Sequence, residues 1–305
     1  MNKGRFKNGK KVTINRKLVL LSIGFGVLII SGSIAYKTFF QDQATKFSLK
    51  AAIVDQLYVH FPNATFISRA TNLLTNAGFS VSYFSSESVN VSFYRNLVQG
   101  DYGIIIFRAH SAIRVNASIV DLFTSEVYRE DGYPEYSGLL SKAEYLVPLG
   151  QETGQFYFAI TPDFVERFGR FPKSIIIAMG CSSLNVTAMA QAFINKGAKA
   201  YVGWTNVVLP NDTDYETSRF LKMFLGENRT LASSVAITSS HNYYDPEADI
   251  RVISKMNFYL PIPSVGNLRI SDLIAEVKNP ETLFSSTEQF SFLIAEVIVN
   301  QWKGK

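Results

Sequence analysis

Two apolar blocks constrain this chain more than any other feature: YGIIIFRAH at 102–110 and KSIIIAMGC at 173–181. Each is a short run, rich in β-branched residues and apolar at consecutive positions. A strand that is apolar on both faces must be covered on both, which is the situation in a parallel sheet flanked by helices. KAAIVDQLY at 50–58, FSVSYFS at 79–85 and AKAYVGWT at 198–205 read as further strands. Between them lie segments with helical spacing. Phe66, Ile67, Ala70, Leu73, Leu74 and Ala77 recur on one face before Gly78, which suits a helix C-terminus. A short helix is expected near 92–98, and another over 186–196 ends at Gly197. Thr213 and Glu216 have the spacing of a capping box for a helix running to about Leu225. Strands alternating with helices predict an α/β fold in three layers with a mostly parallel central sheet.

Residues 111–172 break this rhythm. Asp131-Gly132 and Tyr133-Pro134 are turn dipeptides between extended pieces such as YLVPLG and QFYFAIT. The segment reads as an insertion of hairpins between two central strands. The main domain is expected over 51–240, with 241–305 as a C-terminal extension packing on it. Within that extension DIRVISKMNFYL looks extended, PIPSVGN looks like a loop, and 286–302 suits helix or strand.

The charge is unevenly distributed. Lys3, Arg5, Lys7, Lys10, Lys11, Arg16 and Lys17 form a basic tail over 1–17 without an acid, and removing those seven from the net +5 leaves −2. The remainder is mildly acidic, so no nucleic-acid partner is expected. From Leu18 to Tyr36 there is no charged residue. As a helix that stretch spans about 28 Å, close to the apolar thickness of a bilayer. It is expected to be a transmembrane signal-anchor. The basic flank would stay in the cytoplasm, a connector over 38–50 would follow, and the domain would lie outside the cell membrane. The alternative is a cleaved signal peptide and a secreted domain, with Ser31 and Ser33 as small-residue cleavage candidates. Asn-x-Ser/Thr triplets at Asn63, Asn90, Asn116, Asn185, Asn211 and Asn228 are compatible with export.

Cys181 is the only cysteine, so no internal disulfide can form. It ends one apolar block, and His110 ends the other. Open parallel sheets bind ligands beyond the C-terminal ends of their strands, so both side chains are expected to emerge at the place where chemistry is done. An imidazole near a thiol favours the thiolate or takes its proton, and the sulfur then attacks a carbonyl. Gly180 allows close backbone approach beside the thiol. The opposing interpretation is a small core cysteine and a structural histidine. His60 and His241 are expected to be structural or surface residues. Without HxxxH or CxxC spacing, no metal site and no cofactor are expected.

The order of apolar strand, His, insertion, apolar strand and Cys resembles the caspase-like (clan CD) cysteine peptidases: caspases, legumains, gingipains, clostripain, separases and the related CHAT domains. IIIFRAHS carries His110, IIIAMGCSS carries Cys181, and AMAQAFINKGAKAYVGWT is similar to the helix–strand unit after the Cys in gingipain-like and CHAT-like members. The likeness covers about 50–226. It implies a caspase-like fold and a cysteine endopeptidase. His110 and Cys181 would be catalytic, Ser111 and Gly180 would lie at the oxyanion site, and Trp204 and Thr205 would sit in the cleft for a peptide or protein substrate. Ser111 stands where members have Gly, and Met179 stands where Arg-specific members have Asp. Met179 also fits poorly the small residue that an α/β-hydrolase elbow needs there. The second class of function is a non-catalytic binding or sensor module of the same fold on the cell surface.

Overall fold

A computed structural model describes residues 47–114, 118–144, 146–147, 151–152, 154–238, 250–254 and 267–278. The basic tail, the expected membrane segment at 18–36, the connector as far as residue 46, Asn116, His241 and 286–302 lie outside the described residues. Among the described residues, no helix is long and apolar enough to cross a membrane.

The chain enters through strand β1 (Lys50–Asp55), helix α1 (Ala64–Asn76), β2 (Ser80–Ser85), α2 (Val91–Asn96) and β3 (Ile104–Arg108). The expected insertion follows as β4 (Ser111–Ile113), β5 (Val120–Val127), β6 (Leu140–Ala143), β7 (Leu146–Val147), β8 (Gln151–Glu152), β9 (Tyr157–Ile160) and α3 (Pro162–Phe168). The chain then returns through β10 (Ile175–Ala178), α4 (Ala188–Asn195), β11 (Ala200–Trp204), α5 (Pro210–Leu221), α6 (Leu231–Thr238), β12 (Ile250–Ser254) and α7 (Ile270–Lys278).

The central sheet has the order β12-β11-β10-β3-β1-β2, and only β12 runs antiparallel to its neighbour. The protein is thus an α/β fold with five parallel strands. The insertion builds a separate antiparallel sheet, β4-β5-β9-β6, with β7 and β8 as a small hairpin. The residues expected in a C-terminal extension do more than cover the domain: β12 completes the central sheet, and Leu268, Ile270 and Leu273 join its core.

Strand alternation divides that core in two. Ile53, Ile104, Ile106, Ile175, Ile177 and Val202 face one way, onto residues of α1, α5, α6 and α7. Val54, Ile105, Phe107, Ile176 and Tyr201 face the other way, onto α2, α3, α4 and inner residues of the second sheet. The apolar blocks are therefore apolar at every position because both faces are covered.

The start of α5 corrects the sequence expectation. The helix begins at Pro210, whose fixed φ suits the first helical position. Thr213 lies inside it and donates Oγ1 to the Pro210 carbonyl at 3.1 Å, while Glu216 pairs with Arg219 at 2.9 Å. The side chains that were to form a capping box are one turn too late to cap. The α-helical part ends at Leu221 and a wider turn occupies Lys222–Gly226.

Two glycosylation triplets have structural duties. Asn63 and Asn90 are the N-caps of α1 and α2, accepting hydrogen bonds from the Phe66 and Phe93 backbone N–H groups. Asparagine is among the residues that best satisfy these orphan donors. Asn63 also donates Nδ2 to Asp214 at 2.8 Å, so its amide nitrogen is engaged.

Candidate functional site

The strand order turns back between β1 and β3: the chain steps outward from β1 to β2, then crosses to the other side of β1. In such sheets the crevice opens where the order reverses, beyond the C-terminal strand ends. His110 lies there, and Cys181 ends the next strand. Strands β3 and β10 pair in register, with Phe107 opposite Ala178. His110 and Cys181 each stand three residues past that pair. Continuing the alternation puts position 110 with Ile104, Ile106 and Arg108, and position 181 with Ile175, Ile177 and Met179, on the face that carries α1 and α5.

The end of β3 is clamped by the end of β1. The His110 backbone N–H donates to Gln56 Oε1 at 3.0 Å, and Gln56 Nε2 donates to the Thr124 carbonyl at 3.4 Å. Phe123 N–H donates to the His110 carbonyl at 3.0 Å, so β5 holds the same residue from the other side. The imidazole is flanked by Phe61 and Phe123, with ring centroids 5.9 and 5.8 Å away. Burial, aided by His60 and Arg108 nearby, holds its pKa down to about 4. The ring is neutral at pH 7, the state in which it can accept a proton.

Beneath it is a buried ion cluster. Arg108 Nη1 reaches Asp55 at 2.7 Å, and Nε and Nη2 form a fork on Asp214 at 2.8 Å each. Nη2 also donates to the Phe61 carbonyl, and Tyr83 donates to Asp55. All three charged residues are buried. Burial pushes the Asp55 carboxyl up against the pull of Arg108, as desolvation of a carboxylate does. The cluster ties β1, β3, α5 and the turn before α1 together under the crevice.

Cys181 is half-buried and touches the core. Its Sγ donates to the Val208 carbonyl at 3.3 Å and accepts from the Val208 N–H at 3.5 Å. Burial pushes the thiol above its ordinary pKa, with the Val208 contact opposing. The turn after it is zipped to the segment after β11: Ser182 N–H reaches the Asn206 carbonyl and Asn185 Nδ2 the Thr205 carbonyl. Ser182 takes a left-handed conformation at φ 53°, a sharp turn directly after the thiol.

The other expected site residues have specific places. Ser111 Oγ donates to the Cys181 carbonyl at 2.6 Å, so the hydroxyl braces the thiol's backbone. Gly180 is needed by that brace: a Cβ would lie 2.3 Å from Ser111 Oγ and 2.5 Å from the Ala109 carbonyl. Trp204 is 3 % exposed in the core, which closes its side chain to a substrate in this conformation, and Thr205 is half-buried beside it. Met179 is buried as well. Among the described residues, no group of three or more His, Cys, Asp or Glu is arranged to hold a metal ion.

Sequence inspection missed Gln56 and the Asp55–Arg108–Asp214 cluster. Arg108 carried a readable signal, since a charge in an otherwise apolar block must find a buried partner. Gln56 carried none.

A strand-end imidazole and thiol on neighbouring parallel strands is what this α/β fold offers to chemistry. No protein-family model matches the chain, and no curated protein matches it.

Proposed function

We propose that this chain is a membrane-anchored, extracytoplasmic cysteine endopeptidase with a three-layer caspase-like fold, and that His110 and Cys181 are its catalytic residues. The observation that supports the reading best is the register. His110 and Cys181 each stand three residues past a paired position of adjacent parallel strands, His110 beside the reversal of strand order, where ligands bind in open sheets, and Cys181 on the next strand. The anchor rests on the uncharged run at 18–36 and its basic flank.

The imidazole is neutral at pH 7, but the burial that lowers its pKa makes it a weak base, so this reading requires substrate binding to change its surroundings before it takes the thiol proton. As the Cys181 sulfur forms a bond to the scissile carbonyl carbon, its proton passes to His110 Nδ1 or Nε2. His110 then gives that proton to the leaving amine as the C–N bond breaks. Water attacks the resulting thioester, passing a proton through His110 back to the sulfur, and the acid product leaves. The Sγ must first turn from the Val208 backbone toward the crevice.

The alternative is a non-catalytic binding or sensor module. It draws support from the raised thiol pKa and from the Val208 contacts, which together describe a sulfur at rest in a partly buried site. Incubation with a mixed peptide library and mass spectrometry of the products separates the two. Cleavage by the native protein and none by Cys181→Ala or His110→Ala is expected. Equal cleavage by native and Cys181→Ala protein would remove the thiol from the reaction, and no cleavage by either would leave the binding module.

A further inference from the structure

We propose that the open edge of β2 pairs antiparallel with the same strand of a second copy of this chain, so that one sheet runs through both copies. The inference does not depend on the peptidase reading. Strand β2 is the outermost strand of the central sheet, at the edge away from β12. Its Ser80 N–H donates to the Leu49 carbonyl at 2.8 Å, and its register with β1 is unbroken from Ser80 to Ser85. Backbone groups alternate in direction along a strand. Ser82 and Phe84 therefore also turn to β1, and Val81, Tyr83 and Ser85 turn their N–H and C=O groups to the open edge. Among the described residues, no further strand lies beside them.

Exposed edges are ordinarily blunted by a lysine, a proline or a bulge. The outer strands elsewhere carry a basic residue: Lys142 lies in β6, Arg114 follows β4, and Arg251 lies in β12. Segment 79–85, FSVSYFS, has no charge, no proline and no glycine, and β2 has no bulge. Apolar surface flanks the strand on both faces of the sheet. On one face Tyr83 is 40 % exposed, and Tyr58 near it is 49 % exposed. On the other, Phe84 packs on Phe93 and Tyr102 with ring centroids 4.8 and 6.3 Å away, and all three are half-buried.

Two properties commit the edge to a second copy. Contact between identical surfaces sets like groups near one another, so charge on such a surface repels itself. The stretch from Gln56 to Ser86 supplies the turn after β1, helix α1 and β2. Arg69 is its only Asp, Glu, Lys or Arg, although these make up 18 % of the chain. The strand also complements itself. About a two-fold axis perpendicular to the sheet at Tyr83, Tyr83 lies opposite its own copy, Val81 opposite Ser85, and Phe84 opposite Ser82. Large side chains meet small ones, an aromatic pair spans the axis, and every outward N–H faces an outward carbonyl. The Ser85 carbonyl already accepts from Ser88 Oγ at 2.6 Å, and its second lone pair remains for the ladder.

The test uses the full chain in detergent micelles. Analytical ultracentrifugation in density-matched detergent should show native protein as a dimer that dissociates on dilution. Ser85→Pro removes one outward N–H, and Ser85 already has φ −80°, which proline accepts. Ser82→Lys sets two like charges beside the axis. Each should weaken association at least about tenfold, with thermal melts showing that the monomer is folded. Should one variant fail to fold, the other and a cross-link decide. In a Cys181→Ala background, Ser82→Cys should be joined between copies by a bismaleimide of about 8 Å span, the diagonal separation across an antiparallel pair. Lys142→Cys on β6 should not be joined. Native protein that stays monomeric across the dilution series would overturn the inference. So would equal cross-linking at positions 82 and 142, or a dimer unchanged by both substitutions, because its contact would then lie elsewhere on the chain.

Discussion

Ser111 and Cys181 are joined by a 2.6 Å hydrogen bond from the serine hydroxyl to the cysteine carbonyl, so the turn after β3 holds the thiol's own peptide group. The brace leaves no room at Gly180. We expect Gly180→Ala to lower stability by about 1–3 kcal/mol, as overfilling a packed site does. Adding Ser111→Gly should not restore it, because the Ala109 carbonyl also lies 2.5 Å from the new methyl. Urea denaturation of the two variants checks this. Recovery of native stability in the double variant would show that the hydroxyl alone sets the limit.

Removing Arg108 should be far worse than removing a surface arginine. Arg108→Met leaves Asp55 and Asp214 buried without their cation, a loss on the order of 3–5 kcal/mol. Replacing both acids by Asn in the same protein should recover part of it. Chemical denaturation midpoints decide, and a single variant within about 1 kcal/mol of native would mean the cluster is open to water.

Cys181 should react slowly with iodoacetamide at neutral pH, and its rate should keep rising above the range of an ordinary thiol, because burial disfavours the thiolate. Cys181→Ala should lower stability by about 1 kcal/mol, since the sulfur touches the core and two Val208 backbone groups. Alkylation rates across a pH series measure the first, and thermal melts the second. A fast reaction at pH 7 would mean that the sulfur spends its time away from Val208.

His110 gives the fold a pH dependence of definite sign. Its folded pKa near 4 lies below the unfolded value of 6.5, so the unfolded chain binds the extra proton first. Its contribution is fully present above about pH 6.5 and is lost as pH falls toward 4, with an upper bound on the order of 3 kcal/mol. His110→Phe should flatten the stability curve through that window. The curves of native and variant protein running parallel between those pH values would contradict the assignment.

The uncharged run at 18–36 predicts that expressed protein sediments with membranes and resists carbonate extraction. External protease should digest the domain and spare the basic tail. A soluble product beginning near residue 34 would show that the segment is removed as a signal.

Much of the central sheet could be read from the chain because its signals are local. Apolar runs and one alternating segment, FSVSYFS, with helical spacing between most of them, announce strands of a mostly parallel sheet, and the five observed strands lie inside the expected segments, shorter by one to five residues. Asn63 and Asn90 were read for glycosylation although their helix-capping role is also local; the same residue type serves both purposes. The clamp on His110 was not legible. Gln56 follows Asp55 in a strand end like many others, and its amide matters only once β1 lies beside β3. The positions of Trp204 and Val208 depend in the same way on how the segment after β11 folds over the thiol.

The sixth strand sets a timetable for folding. Strand β12 pairs with β11, and Leu273 of α7 is fully buried in the core that β1 and β3 helped to begin. As the chain is synthesised, β11 waits with an open edge until residues 250–254 arrive, and one face of the sheet waits for α7. Unpaired edges and uncovered apolar faces are what newly made chains aggregate through. A stop codon before residue 250 would therefore release a sheet that has its imidazole and thiol in sequence but cannot shield the edge beside them.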